Sequence, residues 1–119
     1  MVTFDAPLSV AEEDGITLIG FANGSIREEL QIRQIGQQVS QIIEEARTPK
    51  ILISFENIEH LASLALGTLI EVRHKIHEKG GQLRLSNIPP SILEVFQITR
   101  LDGLFEIHGD SEEALKSFG

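Results

Sequence analysis

The 119-residue chain contains no cysteine, tryptophan or tyrosine, and each absence excludes a class of structure or site. Without cysteine there is neither a disulfide framework nor a thiolate-bound metal, which fits a reducing compartment. The aromatic side chains are six phenylalanines, which leave few platforms on which nucleobases could stack. A disulfide-stapled fold and a base-stacking surface are therefore not expected.

Positive charge is also scarce. Ten Lys and Arg stand against 18 Asp and Glu, which gives a formal net charge of −8. Because the basic residues are scattered and form no stripe, a phosphate backbone would be repelled, and we expect no nucleic-acid partner. No stretch approaches the ~18 apolar residues that span a bilayer, and the start of the chain lacks a basic segment followed by an apolar run. We expect a cytoplasmic protein that does not enter the membrane.

The remaining composition suffices for one folded unit. Hydrophobic residues make up 41% of the chain, and no repeat, low-complexity run or long linker interrupts it. Turn signals recur at regular intervals between apolar segments. The sequence therefore predicts a single domain over residues 1–119.

Apolar patterns alternate between the periods of strands and helices. The nearly all apolar run 51–55 predicts a central strand covered on both faces. In chain order the predicted elements are strands at 8–11 and 17–22, a helix from 26 to about 48, the strand at 51–55, a helix at 63–79, a strand at 83–86, a helix opened by Pro89 and Pro90, a strand at 104–108, and a helix capped by Asp110 or Ser111. This order predicts an α/β fold with a mixed, mostly parallel sheet of four to five strands and about four helices.

The same patterns predict which side chains are buried. We expect one core, formed by Ile51, Leu52, Ile53, Phe55, Leu69, Ile76, Leu83, Leu85 and Phe96. Helical periodicity also places Leu30, Ile70 and Val95 on the apolar faces of their helices.

Several segments in the second half of the chain resemble STAS domains, which are named for sulfate transporters and anti-sigma factor antagonists. Residues 51–70, ILISFENIEHLASLALGTLI, resemble the strand-loop-helix segment of that family. The resemblance continues through GGQLRLSNI at 80–88, VFQITRLDGLFEI at 95–107 and DSEEAL at 110–115. It covers residues 50–118, whereas the first 49 residues match in layout only. It implies a STAS-like domain with a partner-binding surface at the start of the second helix.

The resemblance also implies a site. In anti-sigma factor antagonists the second helix opens with an Asp-Ser-Ser-Gly-type motif, whose first serine is phosphorylated by a partner kinase. On this chain that serine falls on Ser63, while Ala62 replaces the aspartate, Leu64 the second hydroxyl residue and Ala65 the first glycine. Gly67 keeps the second glycine. Ser63 is the implied phosphorylation site, and the implied partner-binding residues are Asn57, His60, Leu61, Ala62, Ser63, Leu64 and Gly67.

Two of these residues have structural alternatives. A serine at the first turn of a helix can cap backbone N–H groups, which is the other interpretation of Ser63. Gly67 costs a helix about 1 kcal/mol relative to alanine, which favours a close approach to a neighbouring element. On that interpretation Gly67 serves packing.

The leading functional hypothesis is a non-enzymatic regulatory module resembling anti-sigma factor antagonists. It would bind an anti-sigma factor or a related serine kinase-type switch protein through the loop from Asn57 to Ser63 and the following helix, and phosphorylation of Ser63 would modulate it. One alternative is a STAS scaffold or oligomer subunit without phosphoregulation, a homodimer included. Another is a small-ligand carrier or enzyme. The sequence shows no diagnostic arrangement of a nucleophile, a base and an orienting acid, and it contains no glycine-rich phosphate-binding loop. We therefore expect neither catalysis nor a cofactor.

One side of the predicted second helix carries imidazole and carboxylate groups of the kind that bind zinc or nickel. These residues are Glu71, His74, His77 and Glu78. A solvated helix face carries such residues routinely, and His74 and Glu78 could pair at positions i and i+4. No HExxH motif completes a metal site. We therefore expect the histidines to be solvated bystanders.

Replacing His74 and His77 together with Gln should leave partner binding unchanged, because neither imidazole is expected to contact a partner or a metal. Metal content of the purified protein and partner affinity are the measurements. Stoichiometric metal in the wild type that disappears in the double variant would contradict the interpretation.

Overall fold

The computed structural model describes residues 8–22 and 24–118. Its strands are β1 (Leu8–Glu13), β2 (Ile16–Phe21), β3 (Ser25–Ile26), β4 (Lys50–Ser54), β5 (His60–Leu61), β6 (Gln82–Ser86) and β7 (Ile107–His108). Its helices are α1 (Glu29–Glu45), α2 (Ser63–Glu78), α3 (Pro90–Ile98) and α4 (Ser111–Lys116), with a short 3-10 helix at Leu101–Gly103. The predicted α/β class, with four helices, is confirmed.

The main sheet is mixed and has five strands in the order β1-β2-β4-β6-β7. β1 and β2 form an antiparallel hairpin around Asp14 and Gly15, whose φ angles of 53° and 81° fit the two-residue turn that matches strand twist. The other neighbouring pairs, β2–β4, β4–β6 and β6–β7, are parallel. The predicted sheet, mixed and mostly parallel with four to five strands, is therefore confirmed, and it has five strands.

β4 lies in the middle of the sheet and is covered on both faces. Ile51 and Ile53 belong to the large apolar cluster shared with α1, α2 and α3. Leu52 points to the opposite face, where it packs with Ile16 and with Ala114 of α4. All the predicted core residues are buried, but they divide between two clusters, because successive side chains of a strand point to opposite faces.

The first helix was predicted too long. It begins at Glu29, because Ile26 lies in β3, and it ends at Glu45, before Thr48. The last strand is shorter than 104–108 as well, because the N–H groups of Leu104 and Phe105 donate to the Leu101 carbonyl at 3.0 and 3.1 Å and extend the turn of the 3-10 helix.

Three apolar side chains expected on buried helix faces are exposed. Leu30 is 65% exposed, Ile70 40% and Val95 41%. The buried stripe of α1 instead follows Ile32, Val39 and Ile43. The spacing of apolar residues predicts which side of a helix faces the core. How many residues on that side are buried depends on how much of the helix the sheet covers.

Polar contacts fix α4 on its side of the sheet. Asp110 caps the helix, as expected, because its Oδ1 accepts the N–H of Glu113 at 2.8 Å. Arg84 of β6 pairs with Glu106 and donates from Nε to Ser117 Oγ at 2.9 Å, while His108 Nε2 lies 2.9 Å from Glu106 Oε2. Burial alone raises the pKa of the Glu106 carboxyl, but the hydrogen bond with His108 and the charge of Arg84 outweigh it and hold that pKa below its usual range.

No helix in the described part of the chain combines the length and apolar character needed to cross a membrane.

Replacing Ile53 with Asp should abolish cooperative folding. The side chain is 2% exposed, so the substitution buries an unpaired charge at a cost of several kcal/mol against a total stability of about 5–15 kcal/mol. Ile98→Asp is the matched control, because Ile98 is 74% exposed. Thermal melting followed by circular dichroism is the measurement. An Ile53→Asp protein that melts cooperatively at the wild-type temperature would contradict the central placement of β4.

Candidate functional site

The loop that leads from β4 to α2 is held in place by backbone hydrogen bonds. The N–H of Phe55 donates to the Ser86 carbonyl at 2.9 Å, and the N–H of Ile58 donates to the Phe55 carbonyl at 3.1 Å. Ile58 is 2% exposed and packs in the main core. Between them Asn57 has φ 68°, a left-handed conformation that asparagine tolerates better than most residues. The backbone of the loop is therefore fixed, whereas the Asn57 side chain is exposed.

A row of phenylalanine rings packs together where this loop leaves β4. The Phe55 ring lies 5.5 Å from that of Phe21 and 6.4 Å from that of Phe96. The Phe96 ring in turn lies 6.0 Å from that of Phe105. Aromatic contacts of this geometry add about 0.5–1.5 kcal/mol per pair beyond the burial of area. The row of rings gives the loop a rigid support at the carboxyl edge of the sheet.

A second, two-stranded sheet joins the end of the loop to the segment before α1. β3 and β5 pair in parallel, with Ser25 opposite His60 and Ile26 opposite Leu61. The N–H of Ala62 donates to the Ile26 carbonyl at 2.8 Å. A Cβ on Gly24 would lie 2.9 Å from the Asn57 carbonyl oxygen, so only glycine allows this approach. The pairing fixes where α2 begins.

This small sheet was not predicted. Sequence patterns placed Ile26 in the first helix and residues 57–60 in a plain loop, because two-residue strands are too short to show a period. The pairing brings Ser25 beside His60, with Ser25 Oγ 3.4 Å from His60 Nδ1. Ser25 therefore borders the site, with Arg27 two positions further along the chain, and no local sequence signal could have indicated either residue.

α2 begins at Ser63, as predicted. Its N-cap residue is Ala62, whose φ of −71° and ψ of 150° are extended, and no side chain caps the helix. Ser63 is the first helical residue and is exposed. The capping interpretation of Ser63 is therefore wrong, because the cap position belongs to the residue before it.

The predicted partner-binding residues lie in the loop after β4, in β5, and from the start of α2 to its second turn. Leu61 and Ala62 are half-buried and pack against the main core. The others are exposed, and we call them, together with Ile70, the α2 surface: Asn57, His60, Ser63, Leu64, Gly67 and Ile70. Leu64 is 54% and Ile70 40% exposed. Ile70 was missed because helical spacing predicted it to be buried.

The packing interpretation of Gly67 is wrong. Gly67 is exposed, and a Cβ built on it would meet no heavy atom within 4 Å. It lies one turn from both Leu64 and Ile70 on the outer side of α2. The glycine therefore leaves a shallow gap between two exposed apolar side chains.

The imidazole and carboxylate groups of α2 form a pair. His74 Nε2 lies 3.6 Å from Glu78 Oε1, the i, i+4 contact anticipated from the sequence. Within residues 8–22 and 24–118, no group of three or more His, Asp and Glu side chains is arranged to hold a metal ion.

Comparison with known proteins identifies the family. The sequence profile of the STAS domain matches residues 21–114. The chain therefore belongs to the STAS domain family, as the resemblance of its second half implied.

Solved structures share the fold along nearly the whole chain. An anti-sigma-factor antagonist (STAS) domain protein from Planctomyces limnophilus has 26% sequence identity and a TM-score of 0.84, with 92% of this chain and 96% of that chain covered. An anti-sigma factor antagonist from Mycobacterium paratuberculosis has 20% identity and a TM-score of 0.80 over 92% and 91%. The phosphorylated form of the Bacillus cell fate determinant SpoIIAA has 20% identity and a TM-score of 0.69 over 92% and 96%.

Gly67→Ala should stabilise the domain by about 1 kcal/mol, because alanine favours the helix and its Cβ meets nothing. Gly81→Ala is the control and should destabilise it, because a Cβ there would clash with the Pro49 carbonyl. Urea unfolding of both variants is the measurement. A loss of stability in Gly67→Ala would show that the open space beside α2 is filled.

Proposed function

We propose that this STAS domain is a regulatory module, similar to anti-sigma factor antagonists, that binds an anti-sigma factor or a related kinase-type switch protein through the α2 surface. Phosphorylation of Ser63 would switch that binding. The observation that carries the proposal is the position of Ser63, exposed as the first residue of an uncapped helix and next to the exposed Leu64.

The apolar part of the α2 surface supports a protein contact. Leu64 and Ile70 expose apolar area on either side of Gly67. Apolar side chains grouped on one face of a helix suit the centre of a protein interface, where contact with a partner removes them from water. The rigid loop before α2 also favours binding, because a surface that is already held in place loses little entropy when a partner binds.

The position of Ser63 supports a charge switch. A phosphate brings about −1.5 to −2 charges and three acceptor oxygens. The positive end of the α2 dipole favours such a group, so the fold would tolerate it. The same charge would lie against the apolar contact made by Leu64 and would have to be desolvated in a complex. Phosphorylation would then weaken binding without unfolding the domain.

The structural relatives support the same proposal. The Planctomyces limnophilus protein is described as an anti-sigma-factor antagonist domain. SpoIIAA has been solved in a phosphorylated form, so this fold accommodates a phosphorylated residue. The proposal involves no catalytic group of this chain, since in the phosphorylation step Ser63 would supply only the accepting hydroxyl oxygen.

One feature favours a second candidate, a STAS scaffold or homodimer subunit without phosphoregulation. Ala62 stands where anti-sigma factor antagonists carry an aspartate before the serine, so the loop lacks a polar group that a kinase could read. Intact mass after co-expression with native partners separates the two candidates. A phosphate on Ser63 supports the switch, whereas an unmodified chain in a stable complex supports the scaffold.

Substitutions on the α2 surface should change partner affinity in a fixed order. Ser63→Ala should retain binding, Ser63→Asp should weaken it about tenfold, and Leu64→Arg should weaken it further, because a hydrated charge enters the apolar contact. Ile98→Arg is the control, since Ile98 is apolar and 74% exposed but lies on α3. Titration calorimetry against the captured partner, with melting temperatures of each variant, is the measurement. Equal affinities throughout would place the interface elsewhere.

A further inference from the structure

Arg27 lies beside the start of α2. The Ile26 carbonyl accepts the N–H of Ala62 at 2.8 Å, and Ile26 is opposite Leu61 in the parallel pairing. Because parallel strands advance in step, the residue after Ile26 comes next to the residues after Leu61. Arg27 is thereby placed across from the junction of Ala62 and Ser63, although 36 positions separate it from Ser63 in the chain.

Arg27 and His60 belong to the same outer face. Successive side chains of a strand alternate between its two faces. Ile26 is 2% exposed and Leu61 is half-buried against the core, so their strand neighbours Ser25 and His60 lie on the outer face, and Arg27 follows directly after β3. Arg27 and His60 are both exposed. Two side chains that can donate hydrogen bonds therefore belong to the paired segments next to the start of α2.

The guanidinium of Arg27 differs from several basic groups of this acidic domain that are engaged in contacts. Arg33 pairs with Glu29, and Arg84 pairs with Glu106. Lys79 donates to two carbonyls at the end of α1. The backbone N–H of Arg27 donates to Gln31 Oε1 at 3.2 Å. In the part of the chain that the structure describes, the Arg27 side chain forms no ion pair. Glu28, next to Arg27 in the chain, and Glu59, next to His60, are exposed carboxylates.

We propose that Arg27 and His60 form an internal receptor for the phosphate on Ser63. The planar guanidinium can donate two parallel hydrogen bonds to phosphate oxygens, and an imidazole N–H of His60 can donate a third. The phosphate would then link β3 and β5 to α2. This deepens the proposed function: phosphorylation would withdraw Arg27 and His60 from a partner as well as adding charge next to Leu64.

The test uses the full chain with phosphoserine incorporated at position 63 during translation, so that no kinase or partner is needed. The second ionisation of the phosphate is followed by ³¹P NMR in the wild type, Arg27→Gln and His60→Gln. Arg47→Gln is the matched control, because Arg47 is exposed in the connection between α1 and β4. A nearby guanidinium favours the doubly charged phosphate, so the midpoint pH should be about 0.5 higher in Arg27→Gln than in the wild type. His60→Gln should raise it less, and Arg47→Gln should leave it unchanged.

Thermal melting gives a second readout on the same samples. Phosphorylation should raise the melting temperature of the wild type relative to the unmodified chain, and Arg27→Gln should remove that rise. Identical ³¹P midpoints in the wild type and Arg27→Gln would overturn the proposal. The result is independent of partner binding, so a phosphate receptor without an effect on partner affinity would count against the proposed function alone.

Discussion

The structure depends on the burial of β4 from both sides. Ile51 and Ile53 need the helices α1 to α3 on one face, and Leu52 needs α4 on the other. The first exposed residue after β4 is Glu56, where the chain leaves the core at the carboxyl edge of the sheet. The loop and the start of α2 emerge at that edge. The location of the candidate site thus follows from the need to keep one strand out of water.

The second constraint is the short β3–β5 pairing. The N–H groups of Glu59 and His60 donate to the Gly24 carbonyl at 2.6 and 3.2 Å and hold the loop to the segment before α1. The same pairing gives the surface its mixed character. Its inner side chains, Ile26 and Leu61, join the core, while its outer side chains, Ser25 and His60, are polar. A partner would therefore meet polar groups from β3 and β5 and apolar groups from α2 on one continuous surface.

The sequence predicted those features whose signals are local. The apolar run at 51–55 indicated a strand covered on both faces, and the helical spacing after Ser63 indicated where α2 begins. It could not predict the β3–β5 pairing, because that contact joins residues 35 positions apart through strands of two residues each. Nor could it separate Ile70 from Leu69, since spacing gives a direction on a helix and the covering sheet decides which side chains are buried. Gly67 shows the same limit, because its cost to a helix predicted close packing where the structure has open space.

The central claim is that a partner protein contacts the α2 surface. Amide hydrogen exchange of the chain, alone and in the complex with its captured partner, tests it most directly, because slowed exchange locates the covered backbone. Slower exchange is expected over residues 57–67, with little change in β7 and α4. Protection confined to β7, α4 or the β1 edge, with the start of α2 unchanged, would contradict it.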